Sequence, residues 1–119
     1  PVVGEVSDPQ DGARVRDEVL SRAGRLDVLA ASLGGWWQGA SLLKTPLEVW
    51  NRLMADLLTS HFLTAKHFLP PLLERGGAYT LINGFSALEP YAGAGAVSVA
   101  AAGQLMLGRA LAAELRGSG

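Results

Sequence analysis

Apolar positions in this chain follow two rhythms, short continuous runs of strand length and longer stretches with helical spacing. Residues 1–6 are Val-rich and read as a buried strand. Ser7-Asp8-Pro9-Gln10 follows, in which Ser or Asp offers a capping oxygen and Pro sits where a missing N–H costs nothing. Val15, Val19, Leu20 and Ala23 then share one helical face among charged neighbours, and Gly24 suits the left-handed residue that ends a helix. Residues 26–33 (LDVLAASL) are apolar without alternation, the pattern of a strand buried on both faces of a parallel sheet. Gly34-Gly35 breaks that run and a loop follows to Lys44. Thr45-Pro46-Leu47-Glu48 predicts a capped helix start, with Thr as cap and Glu closing a capping box. Leu47, Trp50, Met54, Leu57, Leu58, Phe62, Ala65 and Leu69 keep helical spacing, Pro70-Pro71 disturbs the end, and Gly76-Gly77 stops it. Residues 78–83 (AYTLIN) read as a third strand, 84–95 as a loop, 96–115 as an Ala-rich helix and 117–119 as an unstructured tail.

Strand, helix, strand, long helix, strand, helix implies an α/β fold: a Rossmann-like parallel sheet with helices on both faces, a three-layer α/β/α arrangement. The chain has 119 residues, which allows one domain at most, and neither a repeat nor a boundary interrupts it. With 49% hydrophobic and 18% charged residues it can build a core. A formal net charge of -1 gives no basic excess to neutralise phosphates, so no nucleic-acid partner is expected. The absence of cysteine removes disulfides, thiolate catalysis and cysteine zinc sites. No signal peptide opens the sequence, and Lys66, His67 and Arg109 interrupt the longest apolar stretches, so a cytoplasmic protein without a membrane partner is expected.

Four segments then resemble the central part of the short-chain dehydrogenase/reductase family, in the family's order and spacing. Gly4-Glu5-Val6-Ser7-Asp8 is similar to the strand end that lies beside the cofactor's adenine. Gly24-Arg25-Leu26-Asp27-Val28-Leu29 resembles the approach to the family's Asn-Asn-Ala-Gly turn. Thr45-Pro46-Leu47-Glu48-Val49-Trp50 resembles the start of its long interface helix. Residues 109–115 (RALAAEL) resemble the end of the helix that carries its Tyr-x-x-x-Lys pair. The resemblance implies a single Rossmann-like domain segment over 1–119, with the family's glycine-rich turn expected before Pro1 and its last strands after Gly119. It also implies NAD or NADP as cofactor, with Glu5, Val6, Ser32, Leu33 and Gly34 at the cofactor positions, and no metal.

The family reduces carbonyls with a Tyr acid, a Lys one turn on, a Ser holding the substrate oxygen and an Asn in a proton relay. By resemblance these positions fall on Val97, Ala101, Gly84 and Leu57, none of which carries a proton; a one-residue slip would put Asn83 at the Ser. The Asn-Asn-Ala-Gly turn becomes Ala31-Ser32-Leu33-Gly34. Tyr91 and Ser98 (with Ser86 near the serine position) are the substitutes within reach, against the plainer reading of a loop aromatic and ordinary loop or cap serines. His61 and His67 lie off the i,i+4 spacing of a helical metal pair and are expected at the edge of a packing face. Trp36-Trp37 leaves pocket wall, interface and partial core packing open. The expectation is a catalytically degenerate relative that keeps the NAD(P)-binding scaffold as a binding or structural subunit. The alternatives are an oxidoreductase with rearranged catalytic groups and an interaction module. A homo-oligomer is expected through helices 45–75 and 96–115, where Ala96, Ala100, Gly103, Leu107 and Ala110 form a small-residue stripe.

Overall fold

A computed structural model describes residues 1–117, so Ser118 and Gly119 of the expected tail lie outside the described residues. Two strands pair in parallel, β1 (Val28–Ala31) with β2 (Ala78–Leu81), in the register Val28 to Ala78 through Ala31 to Leu81. Helices alternate with them: α1 (Pro9–Ala23) before β1, a long helical crossover between the strands, and α4 (Gly95–Glu114) after β2. The crossover consists of α2 (Leu47–Met54), a π turn at Ala55–Thr59, and α3 (Ser60–Arg75).

The expected first strand does not form. Residues 1–6 have no partner ladder among the described residues, and a strand without one leaves its N–H and C=O groups unpaired. Helix α1 holds the segment instead: Arg14 Nη2 donates to Val3 O at 2.7 Å and Glu5 N donates to the Asp11 carboxylate at 2.6 Å. The other two runs pair as predicted. Their burial alternates, with Leu29, Ala31, Tyr79 and Leu81 turned inward and Val28, Ala30, Ala78 and Thr80 exposed. Residues 26–33 are therefore not buried on both faces here, because the helices packed on the sheet meet only its inward side chains.

Helix ends follow local chemistry in most places. Asp8 caps α1 by accepting from Gln10 N at 3.1 Å, and Gly24 closes it at φ 77°. Gly76 closes α3 at φ 64°. The capping box at Thr45 is absent: Pro46 occupies the cap position, and the Thr45 hydroxyl donates to Ser41 O at 3.1 Å. Pro70 and Pro71 stay inside α3, which continues to Arg75.

The core joins the crossover to α4, with Leu53, Leu57, Ala94, Ala96, Val97 and Ala100 buried together. Part of the small-residue stripe is therefore used within the chain, while Ala110 at its far end stays exposed. Ala96 and Ala100 are fully enclosed, and a Cβ on Gly103 would stand 3.0 Å from Leu58 Cδ1. Helix α4 is long and apolar enough, by length and composition, to cross a membrane, and its alanines are explained equally by this close packing. On the other side, α1 crosses α3 at Gly12, where a Cβ would meet the His67 ring at 2.7 Å.

Candidate functional site

The ends of β1 and β2, the loops that follow them and the first turns of α4 enclose a cavity of about 550 Å³. Its floor is made by Leu57 from the π turn and by Val97 and Ala101 from α4, each no more than 5% exposed. Val97 and Ala101 stand one helical turn apart and so share a face. Leu57 reaches the floor because the π turn brings it under Gly34, which has φ 108° and whose missing Cβ leaves the space that the Leu57 side chain fills. Asn83, Gly84 and Ser86 line the cavity from the end of β2, and Ser32, Leu33 and Gly35 from the end of β1.

The rim is aromatic. Trp36 and Tyr91 meet edge to face with ring centres 5.5 Å apart, and exposed Phe85 and Ile82 stand nearby. Two hydrogen bonds zip the loops that carry this pair: Gly39 N donates to Gly93 O at 3.1 Å, and Gln38 Nε2 to Ala92 O at 2.9 Å. The adjacent tryptophans split their roles, since Trp36 forms cavity wall while Trp37 packs against the core.

The polar groups at the floor are largely committed to backbone. Asn83 Nδ2 donates to Ala101 O at 2.8 Å, and its Oδ1 accepts from Gly84 N at 2.8 Å. Gln104, buried at 3% exposure, donates from Nε2 to Leu57 O and so ties α4 to the π turn. Ser98 is buried but does not line the cavity; its hydroxyl accepts from Tyr91 N at 3.4 Å. Of the proposed substitutes, Tyr91 and Asn83 therefore reach the cavity and Ser98 does not. Gln104 was missed by sequence reasoning, because a glutamine in an Ala-rich helix carries no local sign that it is buried.

A second hollow of about 260 Å³ adjoins the first through Leu33 and Gly35. It gathers Glu5, Val6, Leu33 and Gly34, four of the five positions the resemblance assigned to cofactor, together with Ser7, Asp56 and Ser60. The fifth, Ser32, lines the larger cavity. The Ser7 hydroxyl and amide hold the Glu5 carboxyl below its ordinary range by donating to it at 2.5 and 3.1 Å.

His61 and His67 lie inside the fold rather than at an edge, because both turn toward the packed side of α3. His61 Nε2 lies 3.3 Å from Leu33 O, while His61 Nδ1 and His67 Nε2 are buried without a partner among the described residues. No group of three metal-ligating side chains occurs among the described residues. Burial lowers both histidine pKa values, and Arg16 and Lys66 lower that of His67 further. The folded state thus binds fewer protons than the unfolded chain between the lowered values and about 6.5, so stability rises with pH across that window. Urea unfolding is expected to give a constant midpoint above about pH 7 and a falling one below about pH 6.5. The exposed carboxylates Glu5, Asp11 and Asp27, also lowered, add their loss only at more acid pH. A midpoint that does not change from pH 8 to pH 5.5 would contradict the burial of neutral imidazoles.

The family model described as Enoyl-(Acyl carrier protein) reductase matches residues 2–119. The chain is 33% identical to 1-deoxy-11-beta-hydroxypentalenate dehydrogenase of Streptomyces exfoliatus, over 99% of the chain and 44% of that protein. Its structure is similar to carveol dehydrogenase from Mycobacterium avium in complex with NAD, with TM-score 0.90 and 28% identity, covering 96% of the chain and 42% of the other. It is also similar to a metagenomic short-chain oxidoreductase in complex with NADP, with TM-score 0.87 and 26% identity, covering 97% of the chain and 52% of the other. The chain spans less than half the length of the curated relatives it matches. The matched model over almost every residue, the shared Rossmann-type α/β architecture and the order of the four motifs agree: this chain belongs to the short-chain dehydrogenase/reductase family.

Proposed function

We propose that this chain is part of a short-chain dehydrogenase/reductase that binds a dinucleotide and a small molecule but does not reduce carbonyls by the family's Tyr–Lys mechanism. The carrying observation is the cavity floor: Val97, Ala101 and Leu57 converge there, and Tyr91 is the one ionisable group among the lining residues. A carbonyl that accepts hydride becomes an alkoxide, and only a nearby proton donor and hydrogen-bond donors make that charge tolerable. Valine and alanine supply neither.

The second hollow fits a nucleotide cofactor. Glu5, Val6, Leu33 and Gly34 bring a carboxylate, apolar surface and a glycine at positive φ to one concave face. NAD or NADP would be held along these residues and past Ser32, and when bound it supplies the hydride of family chemistry. The solved neighbours in complex with NAD and NADP support this reading.

The second reading keeps catalysis and gives the proton to Tyr91, which lines the cavity from the loop before α4. The deciding experiment measures binding of NADH and NADPH by the full-length protein, then cofactor oxidation with a panel of ketones and quinones. Binding without turnover is expected. Turnover that Tyr91→Phe abolishes would favour the second reading, and no binding of either cofactor would remove the dinucleotide site.

Assembly as a homo-oligomer through the crossover helix and α4 is part of the proposal. Exposed Leu47, Phe62, Val99 and Met106 on these helices support it. A monomer in sedimentation at micromolar concentration would contradict it, as would a self-interface well below about 1,000 Å². The cytoplasm is the proposed compartment.

A further inference from the structure

We infer that the larger cavity takes an uncharged, flat, mainly apolar molecule and discriminates against the same ring system bearing an anion. The inference rests on the binding reading above and names its ligand class. Three observations carry it.

The first is charge. The fourteen lining residues include no Asp, Glu, Lys, Arg or His. A carboxylate, sulfonate or phosphate placed among them would lose its hydration and find no cation, a loss that packing does not repay. The second is shape and surface. Leu57, Val97, Ala101 and Ile82 offer aliphatic contact, while Trp36, Tyr91 and Phe85 supply ring surface at the mouth, which suits a planar ligand. The third is the state of the floor's amides. Asn83 Oδ1 accepts from Gly84 N, and Asn83 Nδ2 and Gln104 Nε2 each give one N–H to a backbone carbonyl. This fixes both amides and leaves each at most one N–H for a ligand, without a positive charge to balance an anion. The Ser32 and Ser86 hydroxyls remain at the wall to meet a hydroxyl or carbonyl on a neutral ligand.

The replacement of the family's ionisable groups and the character of this cavity are then one fact. An ammonium and a phenol would let the cavity stabilise developing negative charge. With no ammonium among the lining residues, and a phenol only on Tyr91 at the mouth, it favours ligands that never develop any.

Titration calorimetry on the full-length protein without cofactor tests this with two probes of one ring system, 2-naphthol and naphthalene-2-sulfonate. Saturable binding of 2-naphthol is expected, with the sulfonate at least about tenfold weaker. Phe85→Ala and Ile82→Ala, both at exposed rim positions, should each weaken 2-naphthol by about threefold or more, while Leu43→Ala, exposed and outside the cavity, should not. Ala101→Asp should weaken it further, and the rim variants keep the test decisive if that protein does not fold. Equal affinity for the two probes, or 2-naphthol binding that ignores both rim variants, would overturn the inference. Because neither cofactor nor turnover enters the measurement, hydride transfer seen elsewhere would count against the non-catalytic reading and leave this one standing.

Discussion

The double variant Val97→Tyr/Ala101→Lys is expected to reduce small neutral ketones about 10²–10⁴-fold faster than the natural sequence, when NADPH or NADH is bound by the full-length protein. The two positions lie one helical turn apart on α4, and both line the cavity. The tyrosine would supply the proton that the incoming hydride demands. The lysine would lower the phenol's pKa by placing a cation beside the phenolate form. Either substitution alone should gain little, since a tyrosine buried there without a cation has its phenolate disfavoured by desolvation and a lone lysine donates from a poor position. Gly84 and Leu57 still withhold the family's serine and asparagine, so the rate should stay below that of an intact relative. Initial rates of cofactor oxidation read the result. A folded double variant no faster than its parent would show that these replacements are not what limits the chemistry.

Gly34→Ala is expected to cost about 3 kcal/mol or more of stability, from two sources that add at one site. Gly34 holds φ at 108°, where an L side chain is strained, and its Cβ would collide with the Leu57 side chain. Gly35→Ala is the matched comparison, because a Cβ there meets no atom within 4 Å and the backbone is unstrained. Its cost should stay within about 0.5 kcal/mol. Urea unfolding at pH 7.5 measures both. Equal midpoints for the two variants would mean that Leu57 does not press against the β1 turn as described.

The legible features of the sequence were those with local causes. Asp8 and Gly24 bound α1, Gly76 ends α3, and the apolar runs around Val28 and Tyr79 pair in parallel because each has helical chain on either side. Val97 and Ala101 could be placed by their distance from the Arg109 motif, since helical spacing preserves register along α4. What was not legible depended on partners distant in sequence. A Val-rich run becomes a strand only beside another strand, and residues 1–6 have none among the described residues. Thr45 met Ser41 O before it could cap a helix. His61 and His67 looked like edge residues because nothing local shows that α1 approaches His67 as closely as Gly12 allows, or that the turn after β1 brings Leu33 O to His61. The small-residue stripe on α4 suggested a partner subunit, and Leu53 and Leu57 of the same chain occupy part of it. Gln104 acquires its role from a π turn 47 residues away.

The most direct test of the account is a deuteride-transfer measurement on the full-length protein. Cofactor deuterated at the transferring position is incubated with neutral ketones, whose alcohol products keep the label as a C–D bond, and the products are read by mass spectrometry. The account predicts bound cofactor and no deuterium in any alcohol above the protein-free control, with Tyr91→Phe indistinguishable from the natural sequence. Sustained deuterium transfer that survives Tyr91→Phe would contradict it, because the proton would then come from a group that the cavity floor of Leu57, Val97 and Ala101 does not contain.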